Sequence, residues 1–325
     1  METGISRVLC IGGAAVDRKY RALDAIRPGT SNPVHSERSF GGVARNVAEN
    51  IARLGVTVSL ASILGKDENG RALLDDLERL GIGTQFMSFS DEHATAEYVA
   101  VLQRDGELAL GLANMTIFDG LTPALLRKAE PDFRTAWIFA DCNLPSKTLH
   151  ALVDITRRQS ITLAIDAVST PKVERLPRDL TGVGLLFLNL DEARAYLGEA
   201  EASPEEATER LRARGAERVI LTLGEAGLVV TDRSGVHAID AIDAKIMDAT
   251  GAGDALIAAT LVALLEGRSL TEAARLGTVA AALTVESTAS VRPDLSFALL
   301  ETTLSSRASD PKVDCTFGVD PMLHS

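Results

Sequence analysis

The sequence predicts an α/β protein: a mostly parallel, doubly wound sheet with helices on both faces and a small second sheet inserted as a lid. Three observations carry this. Short, almost continuously apolar runs recur along the 325 residues, as expected for strands covered on both faces. Longer segments of helical periodicity alternate with them, which favours parallel pairing. One stretch breaks the alternation and reads as a hairpin.

The chain opens with "RVLCIGGAAV" (7–16), a buried strand ending in glycines. "VTVSLASIL" (56–64), "AWIFAD" (136–141), "ITLAID" (161–166), "GLLFLN" (184–189) and "RVILTLG" (218–224) are of the same kind. Helical patterns occupy 45–54, 68–80, 146–158 and 204–214, and two helices are expected near the C-terminus, about 253–266 and 270–286. Ser269 or Thr271 is placed to cap the last of these. The exception, "AEYVAVLQRDGELALGLAN" (96–114), is two strands joined at Asp105-Gly106. The polar segment 17–40 also suits short strands. These two pieces, about 15–40 and 94–116, are expected to form the lid over the carboxyl ends of the main strands, where it would exclude water. One domain is expected over 1–306, with 307–325 as a polar tail.

The net charge of −12, from 33 basic and 45 acidic residues, opposes binding to a polyanion, so neither nucleic acid nor an anionic membrane is an expected partner. Aromatic residues, at 4%, are too few for base-stacking platforms. A small anion needs only a local positive field and remains open. Cys10, Cys142 and Cys315 have no metal-ligand spacing and suit reduced thiols in a cytoplasmic protein. No signal peptide and no membrane span is expected.

The densest chemical signal is "DATGAGDA" (248–255), followed at once by "ALIAATLVALL". Gly251, Ala252 and Gly253 have little side chain, so their N–H groups at a helix start can cradle an anion, aided by the helix dipole. Asp254 beside them is placed to take a proton from an attacking hydroxyl. The same octapeptide also suits tight helix–strand packing with an acid in a first turn. It is not a Walker loop, whose glycine–lysine spacing is absent. In "SFGGVARNVAENIARLG" (39–55), Gly41-Gly42 leads into an amphipathic helix with Asn46 in its first turn. That serves polyol binding or an ordinary turn and helix start. In "NLDE" (189–192), Asn189 and Glu192 offer oxygen to hydrated magnesium, or form a helix cap with an acidic first turn. "LTLGEAG" (221–227) ends a strand with Thr222, Gly224 and Gly227, at an edge where nucleotides bind or a plain turn follows.

In this order and spacing, over roughly residues 7–300, the four features resemble the ribokinase/PfkB family of sugar and nucleoside kinases. The resemblance implies the ribokinase-like three-layer sandwich, a phosphotransferase acting on an alcohol, and ATP with Mg2+ as cofactors. "GGVARNVAENIARLG", "TSNPV" (30–34), "DCNLP" (141–145) and "AIDAVSTPK" (164–172) look most like the pseudouridine kinases of that family, which implies transfer to the 5′-hydroxyl of pseudouridine. Carried over by residue, Asp254 would be the base and Gly251, Ala252 and Gly253 the anion hole. Asn189 and Glu192 would hold magnesium, partly through water. Asn189, Thr222, Gly224 and Gly227 would lie along ATP. Asp17, Gly42 and Asn46 would bind ribose hydroxyls, with Ser31, Asn32, Asn143 and Lys172 as further substrate contacts. Many members hold potassium through residues matching Asp248, Thr250 and 284–290; here "TVESTAS" departs from the ribokinase pattern. Ala249 and Leu256 stand where the family often has Thr and Phe. A homodimer through apolar lid residues Val99, Val101, Leu108 and Leu110 is expected. The alternatives are a kinase for another nucleoside or a ribose-type sugar, and a catalytically silent sugar- or nucleoside-binding module.

Overall fold

The computed structural model describes residues 8–130 and 137–308. Cys315 and nearly all of the expected tail lie outside the described residues. The first half of the chain runs β1 (Val8–Ile11), β2 (Ala15–Ala22), β3 (Val34–Gly41), α1 (Val43–Arg53), β4 (Val58–Ala61), β5 (Ile63–Gly65), α2 (Glu68–Arg79), β6 (Ser88–Ser90), β7 (Glu97–Leu102) and β8 (Leu108–Asn114). Then come α3 (Pro123–Ala129), β9 (Trp137–Asp141), α4 (Ser146–Gln159), β10 (Thr162–Asp166), α5 (Thr170–Val173), β11 (Leu185–Asn189), α6 (Leu190–Leu197) and α7 (Pro204–Ala213). The chain closes with β12 (Val219–Thr222), β13 (Leu228–Asp232), β14 (Gly235–Ile239), α8 (Ala252–Leu265), α9 (Leu270–Val285) and α10 (Phe297–Ala308).

The main sheet has the order β14-β13-β12-β11-β10-β9-β1-β4. Strands from β4 to β12 run parallel and the last two antiparallel. Alternation along β1 explains the layers. Val8 and Cys10 join a core with Val47, Ile51, Ala258 and Leu276 from α1, α8 and α9. Leu9 and Ile11 join another with Leu149, Leu152, Tyr196 and Leu211 from α4, α6 and α7. Each strand face therefore needs apolar residues at every position, which is why the runs are continuous rather than alternating. Ser269 is the residue that caps α9, in a capping box with Glu272.

The lid is a second sheet, β3-β2-β7-β8, built from the two inserted pieces. Its apolar face is less uniform than expected: Leu108, Leu110 and Leu112 are exposed, but Val99 and Val101 are half-buried. Two corrections apply to the elements. The run 56–64 is not one strand. Ser62 turns its hydroxyl to the Gly12 carbonyl (2.6 Å), and the residues beyond pair with β6 in a small separate sheet. The hairpin β13–β14 was not anticipated; its turn, Arg233-Ser234, leads into Gly235.

From β1 the chain goes through the lid strands and α1 to β4 on one side, while β9 lies on the other. This reversal opens a crevice at the carboxyl ends of β1 and β9, where α/β sheets bind ligands. Asp141, the fully buried last residue of β9, closes the floor of that crevice. Its Oδ2 accepts from the N–H of Gly13 and of Ala44, and its Oδ1 from the N–H of Asn143, each at 2.9 Å. The end of β1, the first turn of α1 and the β9 loop are thus tied to one carboxylate. α1 has no side-chain cap of its own; Asp141 acts as a tertiary one, favoured by the helix dipole. Gly42 begins α1 at φ 95°, and a Cβ there would lie 2.5 Å from the Gly13 carbonyl oxygen. Asp141→Ala would strand three buried N–H groups at about 1–3 kcal/mol each. We expect stability to fall by at least about 3 kcal/mol in urea unfolding; a loss below about 1 kcal/mol would contradict this role.

Candidate active site

α8 is almost wholly buried and starts without a side-chain cap. Its N-cap, Gly251, sits at φ 82°, and a Cβ there would lie 1.8 Å from the Ser290 carbonyl oxygen. No other residue fits that turn. The next N–H groups belong to a first helical turn and have no helical carbonyl four residues back, though that of Ala252 makes a long bond, 3.3 Å, to the Ala249 carbonyl. Gly253 faces open space and is exposed, so this turn presents peptide dipoles to a cleft rather than to the core.

Asp254 follows in the same turn. Its Oδ2 accepts from Asn46 Nδ2 at 2.8 Å, across 208 residues of sequence. The amide is oriented by Arg45, whose Nη1 donates to Asn46 Oδ1 (3.2 Å). Arg45 is in turn buried and gripped by Glu49 (2.6 Å) and Asp76 (2.8 Å). Burial, reinforced by the charges of Asp141 and Asp17, pushes the Asp254 carboxyl up to about 7, against the Asn46 hydrogen bond and the Arg45 charge. A carboxyl with that pKa is suited to exchange a proton near neutral pH.

Two cavities meet at this turn, sharing Thr222, Gly253 and Leu256 in their walls. The larger, about 730 Å3, also takes in Gly224, Gly227 and Ala252, with apolar walls from Ile242, Ala281 and Val285. The smaller, about 200 Å3, is bordered by Asp254, Asp166, Asn189 and Glu192. Asn189 and Glu192 form a reciprocal capping box: Asn189 Oδ1 accepts from Glu192 N–H (2.9 Å), and Glu192 Oε2 from Asn189 N–H (2.8 Å). The cap reading of that motif is realised, and both residues of the cap also border the cavity. Burial raises the Glu192 carboxyl, and burial together with Glu192, Asp254 and Asp141 raises Asp166 well above its ordinary value. Among the described residues no cluster of three or more His, Cys, Asp or Glu could hold a metal by itself.

On the opposite side of Asp254, Asp17 lies against Gly41, where a Cβ would be 2.1 Å from its Oδ2. Burial raises Asp17 to about 6, more than Lys19 and Arg45 lower it. Asn143 is buried and accepts from Lys172 Nζ at 2.6 Å. Burial holds the Lys172 ammonium below its ordinary range. Contacts link these residues in a chain, Asp17 to Gly41, Gly42 to Gly13, Gly13 to Asn143 and Asn143 to Lys172, with Asn46 on Asp254, but none of the five predicted contacts Asp17, Gly42, Asn46, Asn143 and Lys172 lines either cavity. Ser31 and Asn32 are not in that chain. They stand at the far tip of the β2–β3 hairpin, where the Asn32 amide is spent on Arg27 and Thr30 of its own loop. Asp248 points to the lid, pairing with Lys19, while Thr250 is exposed.

The family model described as "pfkB family carbohydrate kinase" matches residues 6–295. The chain belongs to that family. Relatives include the uncharacterized sugar kinase YeiI of Escherichia coli K12, 28% identical over 88% of this chain and 81% of its own. The pseudouridine kinase of the same organism is 27% identical, with coverages of 90% and 94%. The guanosine-inosine kinase of Exiguobacterium acetylicum is also 27% identical, with coverages of 87% and 96%. Among solved structures, a carbohydrate kinase from Agrobacterium tumefaciens superposes with a TM-score of 0.83 at 32% identity, covering 92% of this chain and 97% of that one. An Arabidopsis thaliana ribokinase complexed with ribose and ATP shares the fold, with a TM-score of 0.79 at 19% identity over 92% and 98% of the two chains.

Three elements of this kinase site escaped sequence reasoning: Asp141, Asp166 and Arg45. The first two left a trace, an acid closing an apolar strand run; Arg45 left none. The titration of Asp254 gives a direct test. Turnover, measured as kcat/KM against pH, should fall on the acid side with a midpoint near 7. Asn46→Ala removes a hydrogen bond to the charged form, so that midpoint should rise by about half a unit to one unit. An unchanged or lower midpoint would show that Asn46 does not tune the carboxylate.

Proposed function

We propose that this kinase transfers the γ-phosphoryl group of ATP to the 5′-hydroxyl of pseudouridine. The observation that carries the chemistry is Asp254: a carboxyl near neutrality, beside uncapped helix N–H groups, where two cavities meet. In this reading the base of ATP enters the apolar part of the 730 Å3 cleft and its phosphates reach the α8 turn. Asp254 takes the hydroxyl proton as the oxygen attacks phosphorus, the bond to the ADP oxygen breaks, and the Gly251–Gly253 N–H groups meet the charge on the transferring group. Asp17, Gly42 and Asn46 hold the ribose, and Asn143 with Lys172 the remaining acceptor contacts.

Magnesium suits the donor set. Glu192 and Asn189 line the smaller cavity; their mutual cap uses one oxygen of each and leaves the carboxylate its other oxygen, and magnesium takes few protein ligands, keeping waters and phosphate oxygens for the rest. When bound it would neutralise phosphate charge. Support for pseudouridine comes from the stretches 141–145 and 164–172, which include Asn143 and Lys172, and from the E. coli relative. A second reading, a purine nucleoside acceptor, is favoured by the equal identity to the guanosine-inosine kinase. No helix among the described residues is long and apolar enough to cross a membrane, which fits the proposed cytoplasmic enzyme.

A panel of pseudouridine, uridine, guanosine, inosine and ribose with ATP tests the acceptor. Pseudouridine should have the highest kcat/KM; a better purine nucleoside or ribose would replace it, and binding without turnover of any acceptor would point to a silent module. Asp254→Asn should lower kcat by at least about 10²–10⁴-fold with nucleoside affinity nearly intact, and substantial residual activity would remove Asp254 as base. The lid strand β8 places exposed Leu110 and Leu112 on one face, opposite Val101 and Val99, while a register shift pairs Leu108 with Leu102. We propose that this face pairs two copies. Light scattering should give twice the chain mass, reverting to one with Leu110→Glu; a monomeric wild type would dismiss the pairing.

A further inference from the structure

Asp248 lies three residues before Gly251 and serves two partners. Its Oδ2 is 2.6 Å from Lys19 Nζ, and its Oδ1 accepts from Thr250 N–H at 2.9 Å. Lys19 is on lid strand β2, 229 residues away. Burial would raise the Asp248 carboxyl, but the Lys19 ammonium and the Thr250 hydrogen bonds outweigh it and hold it below the ordinary range. The segment behind is also spoken for. The Val285 carbonyl accepts from Met247 and Asp248 N–H (2.7 and 3.3 Å), that of Thr284 from Ser287 N–H (2.9 Å) and that of Leu283 from Arg292 Nη1 (2.9 Å).

Potassium requires a shell of oxygens with lone pairs to spare in place of its hydration. Within 284–290 the carbonyls of Thr284 and Val285 already accept hydrogen bonds, and the Asp248 carboxylate holds an ammonium of the protein's own at 2.6 Å. A potassium ion at Asp248 would face that charge directly, so the donor set does not fit the ion while Lys19 is in place.

We propose that Lys19 is a positioning residue whose tethered ammonium takes the place of a monovalent cation at Asp248, clasping the lid to the turn that presents the Gly251–Gly253 N–H groups. The inference rests on reading that turn as the anion hole. Stability is not the reason for the pair. Both side chains are more than a quarter exposed, 29% and 27%, and such pairs contribute little to stability. Geometry is: a displacement of about 1 Å in a catalytic group costs on the order of 10²-fold in rate, and Asp248 governs a turn whose next residues are Ala249 to Gly253. The clasp also makes the lid's position a condition for a formed anion hole.

Two measurements on the full chain test it, both comparing KCl with tetramethylammonium chloride at equal ionic strength. In the first, Tm of the wild type should be the same in the two salts, while Lys19→Met should gain stabilisation specific to potassium. A potassium-specific rise in the wild-type Tm overturns the proposal, whether or not an acceptor has been found. In the second, wild-type kcat should agree within about twofold between the salts; Lys19→Met should lose about tenfold or more in kcat with a smaller change in KM for ATP, and Lys19→Arg should recover most of it. Several-fold potassium activation of the wild type, or wild-type kcat in Lys19→Met, overturns the clasp. Failure of every acceptor in the panel would instead count against the pseudouridine or kinase activity, leaving the Tm comparison to decide on Lys19.

Discussion

The site depends on one buried carboxylate that binds backbone rather than ligand. Asp141 gathers the N–H groups of Gly13, Ala44 and Asn143 and so determines where β1 ends, where α1 begins and how the β9 loop turns. Everything on the acceptor side hangs from those three segments: Asp17 two residues into β2, Asn46 in the first turn of α1, Asn143 itself. A carboxylate offers lone pairs on two oxygens, enough to satisfy donors from three directions; no neutral side chain of that size does. Its cost is a buried charge, visible in the upward shift of its own carboxyl. The dipole of α1 and the three donors offset that cost in place of a counter-ion.

That charge has a second effect. Asp141 adds to the field that raises Asp254 and Asp166, as Asp17 does for Asp254. The carboxyl groups form a set that resists full ionisation, and the one aimed at the open turn stands near neutrality. An acidic chain can therefore still receive phosphate: the nearby acids hold part of their charge as protons, and the facing groups are peptide N–H dipoles. Arg45 moderates the set without entering the clefts. Its grip on Asn46 Oδ1 leaves the amide only Nδ2 to offer Asp254, so the amide's orientation is decided by a neighbour rather than by the carboxylate.

Much of the fold was legible because its strands are covered on both sides. Continuous apolar runs located β1, β9, β10, β11 and β12, and the six helices expected end within two residues of α1, α2, α4, α7, α8 and α9, while the segments α3, α5 and α10 were not foreseen. The hairpin β13–β14 was missed despite the Ser234-Gly235 turn pair, because β14 is short and half exposed. Ser62 looked like an interior strand residue, and only the position of Gly12 explains why the strand stops there. In the site, glycine-rich motifs marked the places where backbone must be left bare, and these are properties of a local stretch. Partnerships were not legible. Nothing in "DATGAGDA" names Lys19, and nothing around Asn32 says that its amide closes its own loop. Such facts belong to pairs of distant residues.

The hydrogen bond from Asn46 to Asp254 and the pair of Lys19 with Asp248 join the first fiftieth position or earlier to the last quarter of the chain, across 208 and 229 residues. During synthesis the ribosome releases the N-terminal strands, the lid and the Asp141 knot first. A nascent chain halted before residue 248 has Asp17 and Asn46 but neither Asp254 nor the α8 turn. The two halves of the proposed site come together only when α8 and α9 dock, a non-local step of the kind that folds slowly. On the proposed reading, reactive competence therefore reports that synthesis has passed α9.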